Sequence, residues 1–242
     1  MNQTFDWRRF DRKIFLIAAI VFPLLVLTGF GPTYYLRFAF DPPPLGSLIL
    51  HLHGIVMTAW VIFFVFQVFL IRSRRHRVHM SLGMAGIGLA ILVLVTGFLT
   101  AAAAAKYGFR AAPPDIPQLT FFIVPLTDMI MFAGLFGAAI YYRKRPADHK
   151  RLMLLTVLNF LPPAIARIPI AAVQSFGPLY FFGVPAVLAI GFLIYDTRSN
   201  GTHNKPLLIG TLALIASYPL RLMVGVSGAW ISFAEWITSW AA

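Results

Sequence analysis

Seven stretches of this chain are long and apolar enough to dictate where it folds: residues 14–34, 47–71, 80–105, 119–142, 152–173, 179–196 and 206–227. Each approaches or exceeds the roughly 20 residues that a helix needs to cross about 30 Å of hydrocarbon. They predict an all-α, polytopic membrane bundle of seven transmembrane helices, the shortest of them over 179–196. Only 12% of the 242 residues are charged, half of the roughly 25% expected in a soluble domain. The spans leave no room for a separate soluble unit, so residues 1–242 read as a single membrane domain.

The net charge of +12 invites a nucleic-acid reading, but its distribution gives a different one. With the N-terminus placed in the cytoplasm, Lys13, the cluster Arg72, Arg74, Arg75 and Arg77, and the cluster Arg143, Lys144, Arg145, Lys150 and Arg151 fall on one side. So do Arg8, Arg9, Arg12, Arg198 and Lys205, whereas Arg37, Lys106 and Arg110 fall on the other. This is the positive-inside pattern of a multi-pass protein of a bacterial inner (cytoplasmic) membrane. The basic residues set topology first and contact anionic lipid second; no nucleic-acid partner is expected. Residues 7-WRRFDRK-13 precede a run too long for a signal peptide and read as a retained anchor.

The chain has no cysteine, which removes thiol redox chemistry, iron–sulfur clusters and disulfides. Prolines gather in the outer loops 41-DPPPLG-46 and 108-GFRAAPPDIP-117, where they set turns. The tail 229-AWISFAEWITSW-240 places Trp230, Phe233, Ile237 and Trp240 at helical spacing, the pattern of an amphipathic helix lying in the membrane interface. A plain extension of the seventh span is the other reading of that tail.

The basic turns 72-RSRRHRVHMSLG-83 and 143-RKRPADHKRLM-153 resemble each other. Superposing His79 on His149 aligns Leu82 with Leu152. Two tandem hairpins, 47–105 and 119–173, would then pack as a four-helix core about a pseudo-twofold axis.

Ionisable groups inside spans are costly, and each is a functional candidate. His53, Asp128, Arg167 and Arg221 all count to the outer half of their helices at 1.5 Å per residue, which makes an outer cluster of net positive charge. Either Asp128 pairs with one arginine to fix packing, or a water-filled cavity or an anionic or quinone-like ligand completes the set. His53 and Asp128 are the candidate catalytic, proton-moving residues.

In 48-LILHLHGIVMTAW-60, His51 and His53 lie about 200° apart on a helix, so they do not chelate one ion. His53 shares a stripe with Met57, Trp60, Phe64 and Gln67 and is expected to face inward, with Trp60, Gln67, Arg167 and Arg221 as ligand-binding candidates. His51 is expected at the interface. A second cluster, His76, His79 and His149 ringed by arginines, has the chemistry to hold haem iron or another metal, with arginines for its acidic groups. A solvated basic face is the bland alternative.

The pattern His53, Gln67, Arg72, His79, Leu82, Gly83, followed by 148-DHKRLMLL-155, resembles small uncharacterised bacterial inner-membrane families over roughly residues 47–170; no activity comes with that resemblance. The four core spans are also similar to the ascorbate-reducible two-haem b-type membrane cytochromes, whose ligands pair between the first and third core helices and between the second and fourth. His79 and His149 match the second pair. The first fails, because 119-LTFFIVPLTDMIMF-132 has no histidine. The resemblance therefore implies one haem b at the inner side, with His79 and His149 as metal ligands and Arg75 and Arg145 beside them. Two functions are expected from this: a membrane electron-transfer protein, or a transporter, assembly factor or accessory subunit of a membrane complex that binds a lipid or small anion. Whether the chain is an enzyme is left open by the sequence.

Overall fold

The computed structural model describes residues 7–42, 44–109 and 115–240, with side chains from Lys13 onward except Ala172 and Val173. The side chains of Arg8, Arg9 and Arg12, all of Arg110 and part of the two proline loops thus lie outside what is described. Among the described residues the secondary structure is helical throughout. Six helical segments are long and apolar enough to cross a membrane, which makes the chain a multi-pass membrane protein with a lipid environment.

The first spanning helix, α1 (Trp7–Phe30), runs into a π-helical turn at Gly31–Tyr35, where Pro32 supplies no N–H for the α ladder. That turn aims two tyrosines at the next long helix. After the short α2 (Arg37–Phe40) comes α3 (Leu48–Arg72), capped by Ser47, whose hydroxyl accepts from the Leu50 N–H. Tyr34 lies so close over Gly54 of α3 that a Cβ there would sit 2.4 Å from the ring, and the Tyr35 hydroxyl meets the Thr58 hydroxyl at 2.8 Å.

A tight basic turn leads from α3 to α4 (His76–Tyr107), and Gly108 at φ +114° ends that helix in a conformation that favours glycine. Next comes α5 (Gln118–Tyr141), followed by a second basic turn. The hairpins α3–α4 and α5–α6 pack side by side to form the centre of the bundle.

The expected span 152–173 is not one helix. It is divided into α6 (Pro146–Asn159), α7 (Leu161–Ile165) and α8 (Ala171–Gln174). Pro162 and Pro163 remove two successive backbone donors, and Pro169 a third. A break of this kind is tolerated at membrane depth only where protein surrounds it. Accordingly nearly every residue from Arg151 to Ile165 is buried, and Gly29 of α1 lets the two backbones touch at the carbonyl of Ala164. The remaining long helices are α9 (Pro178–Asn200) and α10 (Lys205–Gly225). Gly201 in the left-handed region ends α9, and Asn204 caps α10 by accepting from the Leu207 N–H at 2.9 Å.

The tail forms a separate helix, α11 (Gly228–Trp240), docked on α4 and α5. Its anchor is Trp230, packed on Phe122 and donating its indole N–H to the Leu119 carbonyl at 2.8 Å. Phe233, Trp236 and Trp240 remain exposed. The aromatic face is therefore divided: one tryptophan holds the bundle, and the other aromatic rings are left for the interface.

Candidate functional site

Two histidines meet at the basic end of the bundle. His79 lies in the first turn of α4, just after one basic turn, and His149 in the first turn of α6, just after the other. Their ring centroids are 6.4 Å apart with planes at 77°, and both residues are half-buried. The Nδ1 of His149 lies 2.8 Å from the Ala139 carbonyl. A carbonyl only accepts, so this bond puts the proton on Nδ1 and leaves Nε2 as the free lone pair. An Nδ1–H held by a backbone carbonyl is the usual support of a metal-ligating imidazole.

On α3, some buried hydrogen-bonding groups are unmet. Both amide atoms of Gln67 and, two turns along α3, the indole nitrogen of Trp60 are buried without a hydrogen-bond partner. Gln67 and Trp60 lie two turns apart on one face of α3, and Trp60 is walled by Phe132 and Phe136 at ring distances of 5.1 and 5.5 Å. A buried orphan of this kind costs about 1–3 kcal/mol, so the Gln67 amide calls for an explanation. Arg75 and Arg145 stand on the two flanking turns, both exposed. Arg145 lies 3.9 Å from Asp148 and over the Tyr142 ring.

The second centre is a closed ion pair. Arg221 of α10 donates to Asp128 of α5 at 2.7 Å, with side-chain exposures of 0% and 7%. Its other groups are engaged as well, by the Ser217 hydroxyl at 3.0 Å, the Ser217 carbonyl at 3.2 Å and the Val124 carbonyl at 3.4 Å. The rings of Phe182 and Tyr218 stack at 4.7 Å and both face the guanidinium. Asn159, at the end of α6, donates to the Asp128 backbone carbonyl at 3.0 Å, which ties the helix break to this pair. Arg221 thus has its charge balanced by protein rather than held open to an anion.

The other outer-half candidates have partners of their own. The His53 ring bonds the Thr96 hydroxyl of α4 at 3.1 Å, with Gly97 giving the close approach. His51 is exposed, and its carbonyl accepts from the Tyr34 hydroxyl at 3.2 Å. Arg167 donates to the Pro163 carbonyl at 2.7 Å and lies over the Phe30 ring at 4.7 Å; among the described residues no carboxylate pairs with it. The structure therefore brings Asp128 and Arg221 together and sends His53 and Arg167 elsewhere.

One constellation escaped the sequence reading. Arg151, counted with the loop charges, is buried and grips Asp196 of α9 through Nε at 2.7 Å and Nη2 at 2.5 Å. Asn200 adds a bond to the same oxygen at 3.2 Å, and the second oxygen, Oδ2, has no partner. The available signal was an acid in the last turn of an apolar run, which is costly unless paired.

Among the described residues no three histidine, cysteine, aspartate or glutamate side chains converge as a metal site. The donor set is two imidazoles, fewer than a closed zinc site needs. No known protein family, curated protein or solved structure matches the chain.

Proposed function

We propose that this chain is a membrane electron-transfer protein that holds one b-type haem between His79 and His149. The observation that carries the reading is the facing histidine pair. His79 and His149 would hold the group between them, their ring centroids lying 6.4 Å apart. The Ala139 carbonyl fixes the tautomer and orientation of His149, leaving Nε2 as its donor. The buried, unpartnered amide of Gln67 supports the reading, because a bound group would supply its missing partner. Arg75 and Arg145, on the flanking turns, carry the charge that propionates require. When bound, haem would supply one-electron chemistry. The electron partner is of the quinone-like class that a membrane interior offers.

The orientation follows from the same end of the bundle. Lys150 lies over the Phe15 ring of α1, and Asn204 bonds Asp148, so the N-terminal end of α1 and the turns α5–α6 and α9–α10 share one side. That side carries the basic clusters and faces the cytoplasm of a bacterial inner membrane. The broken segment α6–α8 counts as a seventh crossing.

Purified protein from haem-replete cells should carry a Soret band. His79→Ala and His149→Ala should each abolish it, and His76→Ala should retain it. A colourless, metal-free preparation would sink the proposal and favour a transporter or accessory subunit instead.

A further inference from the structure

The two basic turns differ in what their charges do. At the α5–α6 turn the protein itself engages them: Arg143 donates to the Ile140 carbonyl, Arg145 faces Asp148, and Arg151 is buried on Asp196. At the α3–α4 turn nothing comparable happens. Arg72, Arg74, Arg75 and Arg77 are all exposed, and among the described residues none of their guanidinium groups makes a hydrogen bond or an ion pair. Four like charges within six residues repel one another, and the fold leaves them together without a carboxylate.

The turn is also fixed in place. Arg74 adopts φ +60°, a left-handed conformation that costs a side-chain-bearing residue roughly 1–2 kcal/mol and that glycine would adopt freely. Backbone bonds hold it there: Ser73 N–H to Phe69, Arg74 N–H to Ile71 and Arg75 N–H to Leu70, at 2.9, 3.1 and 2.8 Å. Arg74, Arg75, His76, Arg77 and Val78 border a shallow, open depression at this turn. Phe69 of α3 and Val78, Met80 and Met84 of α4 are exposed apolar side chains.

From this arrangement we infer that the α3–α4 turn is a binding site for an anionic phospholipid. Arg72, Arg74 and Arg77 take the headgroup phosphate, and the exposed side chains of α3 and α4 receive the acyl chains. The charge selects an anion. The exposed apolar side chains of the same two helices select a lipid over a free ion. This site is separate from the histidine pair, and its occupancy does not depend on haem.

The test uses the full chain in neutral detergent, with native mass spectrometry counting bound lipid as phosphatidylglycerol or phosphatidylcholine is titrated in. The expected result is retention of phosphatidylglycerol and not of phosphatidylcholine. The double variant R74Q/R77Q should weaken retention about 25-fold, at about fivefold per basic residue near an anionic headgroup. R143Q/K144Q, which removes the same charge from the other turn, should leave retention within about twofold, and millimolar inorganic phosphate should not displace the lipid. Equal loss in both double variants would overturn the site by reducing it to bulk charge. Equal retention of the two lipids, or displacement by phosphate, would overturn the lipid assignment. Folding of each variant is checked by its elution profile and thermal midpoint, and R74G/R77Q, which relaxes the left-handed residue, must lose lipid to the same extent.

Discussion

Removing the two partners of the buried Asp128–Arg221 pair one at a time should have unequal consequences. In Asp128→Leu the guanidinium loses its 2.7 Å carboxylate partner while remaining charged, because arginine does not give up its proton in a protein. Three contacts to Ser217 and Val124 remain, as do the two facing rings, but none of these carries a negative charge. The expected loss is about 3–5 kcal/mol, the usual result of stranding one member of a buried pair. Arg221→Met strands a carboxyl group instead, which escapes most of the penalty by taking up a proton, so the loss should be about 1–3 kcal/mol. The double variant D128L/R221M removes both charges and should fall within about 2 kcal/mol of the parent. Reversible unfolding in mixed micelles of rising SDS fraction, followed through the fluorescence of the buried Trp60 and Trp230, measures all four states. Additive losses, or a smaller loss for Asp128→Leu than for Arg221→Met, would refute the view that the pair is a closed, mutually neutralising contact.

Two further perturbations separate kinds of contact. Gly29→Ala places a Cβ 2.1 Å from the Ala164 carbonyl oxygen, and a backbone carbonyl has no room to yield, so thermal stability in detergent should fall markedly. Gly54→Ala meets only the Tyr34 ring, which turns aside, and should cost less; equal losses would contradict this. Asp196→Leu should destabilise by about 3–5 kcal/mol because it strands the buried Arg151, while R151M/D196L should recover most of that loss in the same unfolding assay.

How far the sequence could be read depended on what each residue had to satisfy. The long spans were legible because crossing hydrocarbon sets a length and a composition, and both are one-dimensional properties. The division of 152–173 was written in Pro162, Pro163 and Pro169, yet hydropathy does not register a missing N–H. His79 and His149 could be singled out because each follows a basic turn that resets the register of the next helix. Depth counting put His53, Asp128, Arg167 and Arg221 in the outer half, but depth is only one coordinate. The rotation of each helix about its axis decides which face looks inward, and that rotation sent Arg167 to Phe30 of α1 and Arg221 to Asp128 of α5. Arg151 was misjudged for the same reason: two residues past His149 it points about 200° away, toward α9 and Asp196 rather than toward the arginines of the turn.

By itself, then, the sequence determined that this chain lives in a bilayer as a helical bundle, with its arginines and lysines gathered at the turns, because the cost of burying charge in hydrocarbon acts residue by residue. The tertiary structure alone decided which charges cancel. Asp128 with Arg221 and Asp196 with Arg151 are pairs 93 and 45 residues apart in the chain, and an ion pair forms only where two helices bring their facing sides within about 4 Å. The facing of His79 and His149, and the lone arginine cluster of the α3–α4 turn, follow from the same packing of one hairpin on another.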